Sequence, residues 1–277
     1  MNTKNKIVAI LMAGMVAMAI AVPMAMGDTA TTSASVNNKA PEVTSVTVTP
    51  SSVALSPCPD TTPIKVEASV TDANGADDIA TVKITALTSG GSDASGNITE
   101  TLPVSMTYNS SSGKYEATLH LKCTTPSGSY TVEVTATDTG SLTGTNTGTF
   151  TVGVTCALDL DFTAVSFGAI DPGNSSTVAG DNNFSTGDGK PTIKNIGNAD
   201  MDVKKKITQT SGPETLFPGN TSSTVKGSTK TLTTTAVSFG VTIAPEEATA
   251  ATYELSVPAG TMHGNYEGEL TIEASCA

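Results

Sequence analysis

Side chains that could hold a metal ion gather in one short loop, DANGADD, at residues 72 to 78. Four residues of this loop and the last residue of a later predicted strand carry carboxylate or amide oxygens: Asp72, Asn74, Asp77, Asp78 and Asp138. Oxygen ligands that converge from the loops of a sheet suit Ca²⁺, which is the one cofactor that the sequence suggests. The order differs from an EF-hand loop, because Gly75 directly follows Asn74. The alternative is a solvated turn whose aspartates accept backbone hydrogen bonds.

A second stretch, KPTIKNIGNADMDVKKKI at residues 190 to 207, contains the residue types of a phosphate loop, a metal loop or a basic patch. The phosphate-loop pattern fails, because Pro191 stands where Ser or Thr is required. Asn195, Gly197 and Asn198 are turn formers with apolar residues on both sides. We therefore predict a β-hairpin with a charged outer face. Lys205 falls in the inward phase, which we assign to a sheet edge or a bulge.

Catalytic side chains are sparse. His120 alternates onto the outer face of a predicted strand, His263 lies in a predicted turn, and no GxSxG motif occurs. Paired carboxylates such as Asp159 and Asp161 fall on outer strand faces, where contact with solvent is their ordinary role. Because the chain has no Trp, a sugar-stacking platform would depend on tyrosines, namely Tyr108, Tyr115, Tyr253 and Tyr266. We predict that the protein is not an enzyme.

The N-terminus has the plan of a secretory signal. Two lysines precede an apolar run from Ile7 to Val22, and the small residues AMG follow at 25 to 27. We predict a signal peptide over residues 1–27. An uncleaved anchor is the alternative, because the run approaches the roughly 20 residues of a spanning helix. No second apolar run follows, so we expect an extracellular or cell-surface protein with no membrane insertion after cleavage.

The chain after the signal is strongly acidic. It has no Arg, and its 12 lysines stand against 26 acidic residues, a net charge of −14. This charge repels nucleic acid and anionic membrane surfaces, so we exclude both as partners. Thr, Ser, Val and Gly are abundant, which favours strands and turns over helices.

Period-two alternation of apolar residues predicts an all-β fold. Segments such as IKVEASV at 64 to 70 and YTVEVTAT at 130 to 137 put apolar residues on one face, and Gly, Asn, Asp and Ser clusters separate them. We also predict strands at ATVKITAL, LPVSMTY, KYEATLHLKC and AVSFGAI, which are residues 80 to 87, 102 to 108, 114 to 123 and 164 to 170. No segment after the signal has a helical period. We predict two tandem Ig-like or jelly-roll-like antiparallel β-sandwiches, residues 42–155 and 156–277, after a flexible polar leader at 28–41.

The predicted junction between the sandwiches has no linker. Alternation continues from Phe150 to Phe162 without a Gly/Pro/Ser break. We therefore predict that the last strand of the first sandwich runs directly into the first strand of the second, which makes a stiff rod.

Four cysteines, an even number in an exported chain, predict two disulfides. Cys58 and Cys123 lie within the first predicted sandwich, and Cys156 and Cys276 open and close the second. We therefore predict the pairs Cys58–Cys123 and Cys156–Cys276. Catalytic or metal-binding thiols are the alternative, but no CxxC spacing occurs.

Five N-x-S/T sequons fall in predicted loops: Asn97, Asn109, Asn174, Asn183 and Asn220. Some arise by chance in a Ser/Thr-rich chain, but their placement fits a glycosylated surface protein.

Two parts of the chain resemble known families. VEASVTDANGADDIATVKITA followed by YTVEVTATDTGSLTGTNTGTFTV resembles the Ig-like modules of prokaryotic, especially archaeal, cell-surface proteins. VSFGAIDPGNSSTVAGDN followed by PTIKNIGNADMDV is similar to exported surface β-domains and to the jelly-roll subunits of extracellular fibres such as the TasA and camelysin group. These resemblances imply surface structure, adhesion or filament building, and they bring no catalytic residue.

We expect a non-enzymatic structural protein of the cell envelope or of an extracellular filament, with other copies of itself or other surface proteins as partners. The alternative is an adhesin that binds carbohydrate or protein through the end loops of the sandwiches. If filaments form, we predict that residues 28 to 40 donate an exchanged strand, because a disulfide to Cys156 would tie the C-terminal strand into its own domain.

Overall fold

The computed structural model describes residues 6–8, 29–185 and 187–276. The predicted signal peptide lies outside this part of the chain except for Lys6–Val8, strand β1, which pairs antiparallel with β2, Thr29–Thr31. These strands belong to a unit formed by residues 1–39, and residues 40–277 form a second unit. Residues 32–40 have no regular secondary structure and are exposed. Within the described residues, no helix is long and apolar enough to cross a membrane.

The N-terminal half of the second unit is built from short and long strands in two sheets. Its strands are β3 (Glu42–Thr49), β4 (Ser52–Val53), β5 (Thr62–Thr71), β6 (Ile79–Ser89), β7 (Ser92–Asp93), β8 (Val104–Ser105), β9 (Thr107–Asn109), β10 (Lys114–Leu121), β11 (Gly128–Asp138) and β12 (Thr143–Val152). One sheet has the order β3-β5-β10-β9, and the other has the order β4-β12-β11-β6-β7 with β8 on β6. Single 3-10 turns lie at Ala76–Asp78 and Ser95–Asn97. We call this half the first sheet pair.

The first sheet pair follows directly from the alternation in its sequence. Ile64, Val66 and Ala68 of β5 are fully buried, and the alternate residues of β11 face them from the other sheet. Burying one such aliphatic side chain stabilises the fold by about 1.5–3 kcal/mol. Tyr130 and Phe150 stack across β11 and β12 with ring centroids 5.4 Å apart.

The C-terminal half has a larger and a smaller sheet. Its strands are β13 (Leu158–Leu160), β14 (Ser175–Val178), β15 (Thr192–Asn195), β16 (Met201–Ser211), β17 (Thr221–Val225), β18 (Ser228–Thr231), β19 (Val237–Ser238), β20 (Ala248–Ser256) and β21 (Glu267–Cys276). The larger sheet has the order β13-β15-β20-β17-β18 with β14 on β20, and the smaller has the order β19-β16-β21. A four-residue helical turn lies at Phe217–Asn220. We call this half the second sheet pair.

The predicted all-β class is confirmed, since the second unit consists of sheets packed over hydrophobic cores, with antiparallel pairing except between the short strand β4 and β12. The count of two tandem sandwiches stays a prediction. One buried cluster contains residues of the first sheet pair, and a separate cluster contains residues of the second. The two clusters fall on either side of the predicted boundary at residues 155 and 156, which stays a prediction.

Three predicted strands differ in the structure. The segment 102 to 108 is divided between β8 and β9, which belong to different sheets. The segment 164 to 170 has no strand. The predicted continuous strand from Phe150 to Phe162 is wrong: β12 ends at Val152, β13 begins at Leu158, and Val154 is 53% exposed. Thr155 and Ala157 instead accept backbone hydrogen bonds from Asn198 and Ile196.

The predicted hairpin at residues 190 to 207 is also wrong. Its two strands, β15 and β16, belong to different sheets, so the turn between them connects the larger sheet to the smaller one. Lys205 is fully buried in the middle of β16 and not at an edge or a bulge, because β19 and β21 pair with β16 on its two sides.

Candidate functional site

Three of the five predicted metal ligands come together at one end of the first sheet pair. Asp72 follows β5, Asp78 ends a 3-10 turn, and Asp138 ends β11. One carboxylate oxygen from each lies within 4.8 Å of the other two. Asp77 is exposed and lies outside this group of carboxylates, and Asn74 is exposed.

The hydrogen bonds of this aspartate cluster (Asp72, Asp78 and Asp138) hold its carboxylates in place. Asp72 Oδ1 accepts from the Asn74 amide at 2.7 Å, and Asp138 Oδ1 accepts from the Leu142 amide at 2.8 Å. The Thr139 hydroxyl donates to Asp78. Asp72 Oδ2 is buried and has no hydrogen-bond partner. Three clustered carboxylates, one of them with an oxygen that lacks a hydrogen-bond partner, fit a hard cation such as Ca²⁺. The positive charge of such an ion would offset the repulsion between the three carboxylates.

The smaller sheet of the second sheet pair ends in a long free edge. β21 pairs with β16 from Glu267 to Cys276, and in the described part of the chain no strand pairs with its other side. Leu270, Ile272 and Ala274 pack against the core but are only half-buried. A free edge with half-covered apolar residues is a template for another strand.

A buried asparagine that sequence reasoning took for a turn former joins the two sheet pairs. Asn198 Nδ2 donates to the carbonyl oxygens of Thr125 and Gly153, both at 2.9 Å, and Asn198 Oδ1 accepts from the Thr155 amide at 2.6 Å. Gly197 is required beside it, since a Cβ there would lie 2.2 Å from the Thr155 oxygen. No signal in the sequence separates this Asn from an ordinary turn residue.

The first disulfide lies at the same junction. Cys58 is bonded to Cys123, and the Cys58 amide donates to the Ile196 oxygen at 2.8 Å. A carboxylate oxygen of Glu246 lies within 4.8 Å of both sulfur atoms, which are unavailable as metal ligands because they form the disulfide. The second disulfide joins Cys156 to Cys276, so the structure contains both predicted pairs.

Lys205 places an amine inside the second sheet pair. Its Nζ donates to Ser223 Oγ and to the Tyr253 hydroxyl, both at 3.0 Å, and lies 5.1 Å from the ring centroid of Phe239. Burial lowers the pKa of this amine to about 7. Because the side chain has no exposed surface, this group belongs to the core and not to a site that a substrate can reach.

The remaining candidate groups have local contacts. His120 Nδ1 lies 2.5 Å from Glu100 Oε1, and His263 is exposed. Asp161, predicted on an outer face, is buried and accepts from the amides of Ser185 and Thr192.

The five sequons differ in exposure. Asn174 and Asn183 are exposed outside regular structure, and Asn97 is half-buried in a 3-10 turn. Asn109 ends β9, and its Nδ2 donates to Glu116. Asn220 ends the helical turn, and its Nδ2 donates to the Leu216 oxygen. Thus only two sequons lie in open loops.

Comparison with known proteins gives remote structural likenesses. No family model matches the chain, and no curated protein matches it. A secreted serine protease, VesC from Vibrio cholerae, is 10% identical, with 81% of this chain and 49% of that chain covered and a TM-score of 0.22. A chaperone–tip adhesin complex of CFA/I fimbriae is 9% identical, with 82% and 79% covered and a TM-score of 0.32.

A carbohydrate-binding module of the β-sandwich superfamily is 13% identical, with 87% of this chain and 98% of that chain covered and a TM-score of 0.25. This chain spans about half the length of the VesC structure. Since all three TM-scores are below 0.5, the β-sandwich architecture rests on the strand pairing of this chain itself.

Proposed function

We propose that the protein is a non-enzymatic, secreted or cell-surface structural protein that assembles with other copies by adding a strand to the edge of β21. The observation that carries this proposal is the ten-residue free edge of β21 with half-buried Leu270, Ile272 and Ala274 behind it. Backbone pairing at an open edge gives affinity without a dedicated pocket, and the alternate side chains of an added strand would cover the apolar residues.

The donor is the leader of a second copy, residues 28 to 40. Its described residues from 31 onward are exposed, and Val36 is 87% exposed. Ala34 and Val36 lie in one strand phase and would face the half-buried residues of β21, while Lys39 would approach an edge that carries Glu267, Glu269 and Glu273. Because the chain is acidic, copies repel one another. We therefore expect assembly to require salt or divalent cations that reduce this repulsion.

The test is to follow polymerisation of the secreted protein by light scattering, with and without Ca²⁺, for three proteins: the wild type, a variant lacking residues 28–40, and Ile272→Lys. We expect both variants to stay monomeric, because one lacks the donor and the other puts a charge behind the acceptor edge. Lys204→Met, on the outer face of β16, is the matched control. Unchanged fibres from the truncated protein would exclude the leader, and a monomeric wild type under every condition would exclude assembly.

An adhesin is the second candidate function, and the aspartate cluster favours it. A Ca²⁺ ion held by Asp72, Asp78 and Asp138 would fix the end loops of the first sheet pair as a binding surface. We propose this ion as the cofactor of those loops. Binding to a glycan array or to surface proteins would support the adhesin, and no binding to either would contradict it. Loss of that binding with a chelator would support the ion as the cofactor of the end loops, and binding that ignores the chelator would contradict this role of the ion.

We also propose an extracellular location with glycosylation at Asn174 and Asn183. Two disulfides suit an oxidising compartment, and both asparagines are exposed. Mass spectrometry of the native protein tests this proposal. We expect an N-terminus near Asp28 and peptides that carry glycans at Asn174 and Asn183. An intact residue 1–27 segment or unmodified asparagines would contradict it.

A further inference from the structure

A buried hydroxyl at the start of β15 is surrounded by acceptor oxygens. Thr192 has no exposed surface, and its side chain has a single proton to donate. Its Oγ1 lies 3.1 Å from the Asp181 carbonyl oxygen, 3.2 Å from Asp181 Oδ1, 3.3 Å from the Lys190 carbonyl oxygen and 3.5 Å from the Asn183 carbonyl oxygen. One proton cannot satisfy four acceptors, so most of these oxygens keep lone pairs that face a common centre.

The three carbonyl oxygens of this group have Thr192 as their one donor in the described part of the chain. No backbone amide there donates to the carbonyl of Asp181, Asn183 or Lys190. Carbonyl oxygens without an amide donor can bind a cation or water through their lone pairs. We call these three oxygens, Asp181 Oδ1 and Thr192 Oγ1 the oxygen cage.

The spacing of the oxygen cage matches the coordination shell of a cation. In an octahedral shell, each ligand has four neighbours at about 1.4 times the metal–ligand distance. The four separations around Thr192 Oγ1 therefore correspond to a metal–oxygen distance of about 2.2–2.5 Å, which overlaps the range of Ca²⁺ and exceeds that of Mg²⁺. Na⁺ has nearly the same radius as Ca²⁺, whereas K⁺ is larger. The geometry thus selects a cation of the size of Na⁺ or Ca²⁺.

The loop that carries the oxygen cage is held against β20 before any ion binds. Asn182 Oδ1 accepts a hydrogen bond from the Ala250 amide at 2.9 Å. Gly180 is required at its position, since a Cβ there would lie 2.2 Å from the Pro191 oxygen. Ligand groups that are fixed in advance lose little freedom when they bind.

The charges around the oxygen cage favour a monovalent ion. Asp161 is buried and accepts from the Thr192 amide at 2.8 Å, but no ion pair of the described residues includes it. The carboxylate of Asp181 is already paired with Lys190, through Oδ2 at 3.4 Å. These three side chains carry a net charge of −1, while Asp188 is exposed and its charge is screened by solvent. A single positive charge would neutralise the group, and a divalent ion would leave an excess.

We propose that the oxygen cage binds one Na⁺ ion, with Thr192 Oγ1 at one vertex of its coordination shell. The ion ties the loop before β15 to the larger sheet of the second sheet pair. Because Asn183 and Lys190 are exposed, the ion exchanges with solvent and its affinity is weak, on the order of millimolar. This site differs from the aspartate cluster, where three carboxylates suit a divalent ion.

The test is a ²³Na NMR titration of the full secreted protein, with choline chloride keeping the ionic strength constant. Na⁺ held by a protein relaxes fast, so we expect saturable broadening of the signal. Thr192→Val replaces the hydroxyl with a methyl group and should weaken Na⁺ binding about tenfold. Thr192→Ser keeps the hydroxyl and should bind like the wild type. Thr249→Val, another buried threonine on the neighbouring strand β20, is the control.

A second variant keeps the proposal testable if Thr192→Val does not fold. Asp181→Asn, at a half-buried position, keeps an oxygen ligand but removes the charge, and it should also weaken Na⁺ binding. Circular dichroism checks the fold of each variant. No saturable broadening in the wild type, or equal broadening in Thr192→Val and Asp181→Asn, would overturn the proposal.

Competition between ions tests the choice of Na⁺. K⁺ should displace Na⁺ poorly, because it is too large for the oxygen cage. Displacement of Na⁺ by a much lower concentration of Ca²⁺ would assign the cage to a divalent ion and overturn the proposal. Na⁺ binding should be unchanged in Asp72→Asn and in Ile272→Lys, so this site, the aspartate cluster and strand addition at β21 can fail independently.

Discussion

The amine of Lys205 makes the stability of the second sheet pair depend on pH. Burial lowers the pKa of this amine in the folded state to about 7, against an ordinary value of 10.5. Between these two values the unfolded chain holds a proton that the folded chain lacks. The free energy of unfolding should therefore rise as pH increases from about 7 to 10.5, and below pH 7 the full cost of a buried charge remains.

Replacing this lysine should remove that dependence. We expect Lys205→Met to raise the free energy of unfolding at pH 6 by about 1–4 kcal/mol, because an apolar side chain replaces a desolvated amine. Urea unfolding at pH 6, 8 and 10 measures this change. The difference between wild type and Lys205→Met should shrink as pH rises. Lys204→Met, on the outer face of the same strand, should show neither effect, and a difference that is constant with pH would refute this account.

The aspartate cluster makes a separate prediction about metal binding. Ca²⁺ should raise the melting temperature of the wild type, since a ligand that binds only the folded state stabilises it, by about 2.7 kcal/mol at a hundredfold excess over Kd. Asp72→Asn should lose most of this shift, because it removes one of three clustered charges. Asp77→Asn, in the same loop but outside the cluster, should keep it. Equal shifts in both variants would place the ion elsewhere.

The turn between β15 and β16 joins the two sheet pairs. Asn198→Ala removes three hydrogen bonds and leaves two carbonyl groups and one amide without partners, which should cost about 3 kcal/mol or more. Small-angle scattering should then show a wider range of shapes than for the wild type. Asn265→Ala, an exposed residue of the loop before β21, is the control. A variant with unchanged stability and scattering would show that this turn does not join the two halves.

Local alternation predicts strands well where a strand has one buried face. The segments around Ile64, Val82, Leu119 and Val132 all form strands with the predicted face inward. The predicted disulfides also occur, because each bond joins two cysteines of the same predicted sandwich. Three of the five expected metal ligands meet, since the loop after β5 and the end of β11 bring them to one end of the first sheet pair.

Pairing between distant segments could not be predicted from alternation. The residues of β15 and β16 have the pattern of a hairpin, but each strand pairs with a partner far along the chain. For the same reason, the role of Asn198 could not be predicted, since its hydrogen-bond partners are 43 to 73 residues away.

At the scale of the whole molecule, an acidic chain and two hydrophobic cores accompany the free edge of β21. The chain after residue 27 has 12 lysines against 26 acidic residues, a net charge of −14, so copies repel one another at low ionic strength. Assembly through β21 must overcome this repulsion by backbone pairing and by covering apolar residues. Assembly should therefore begin at higher salt or in Ca²⁺, and the onset of light scattering across an ionic-strength series measures this dependence.

Hydrogen–deuterium exchange of β21 tests the central claim most directly. In the monomer, amides between Glu267 and Cys276 that point away from β16 face solvent and should exchange fast. In the assembled protein, an added strand should protect these amides, while β18, an edge of the larger sheet, should exchange at an unchanged rate. Strong new protection confined to β21 and the leader is the result that we predict. Assemblies in which β21 exchanges as fast as in the monomer would contradict strand addition at this edge.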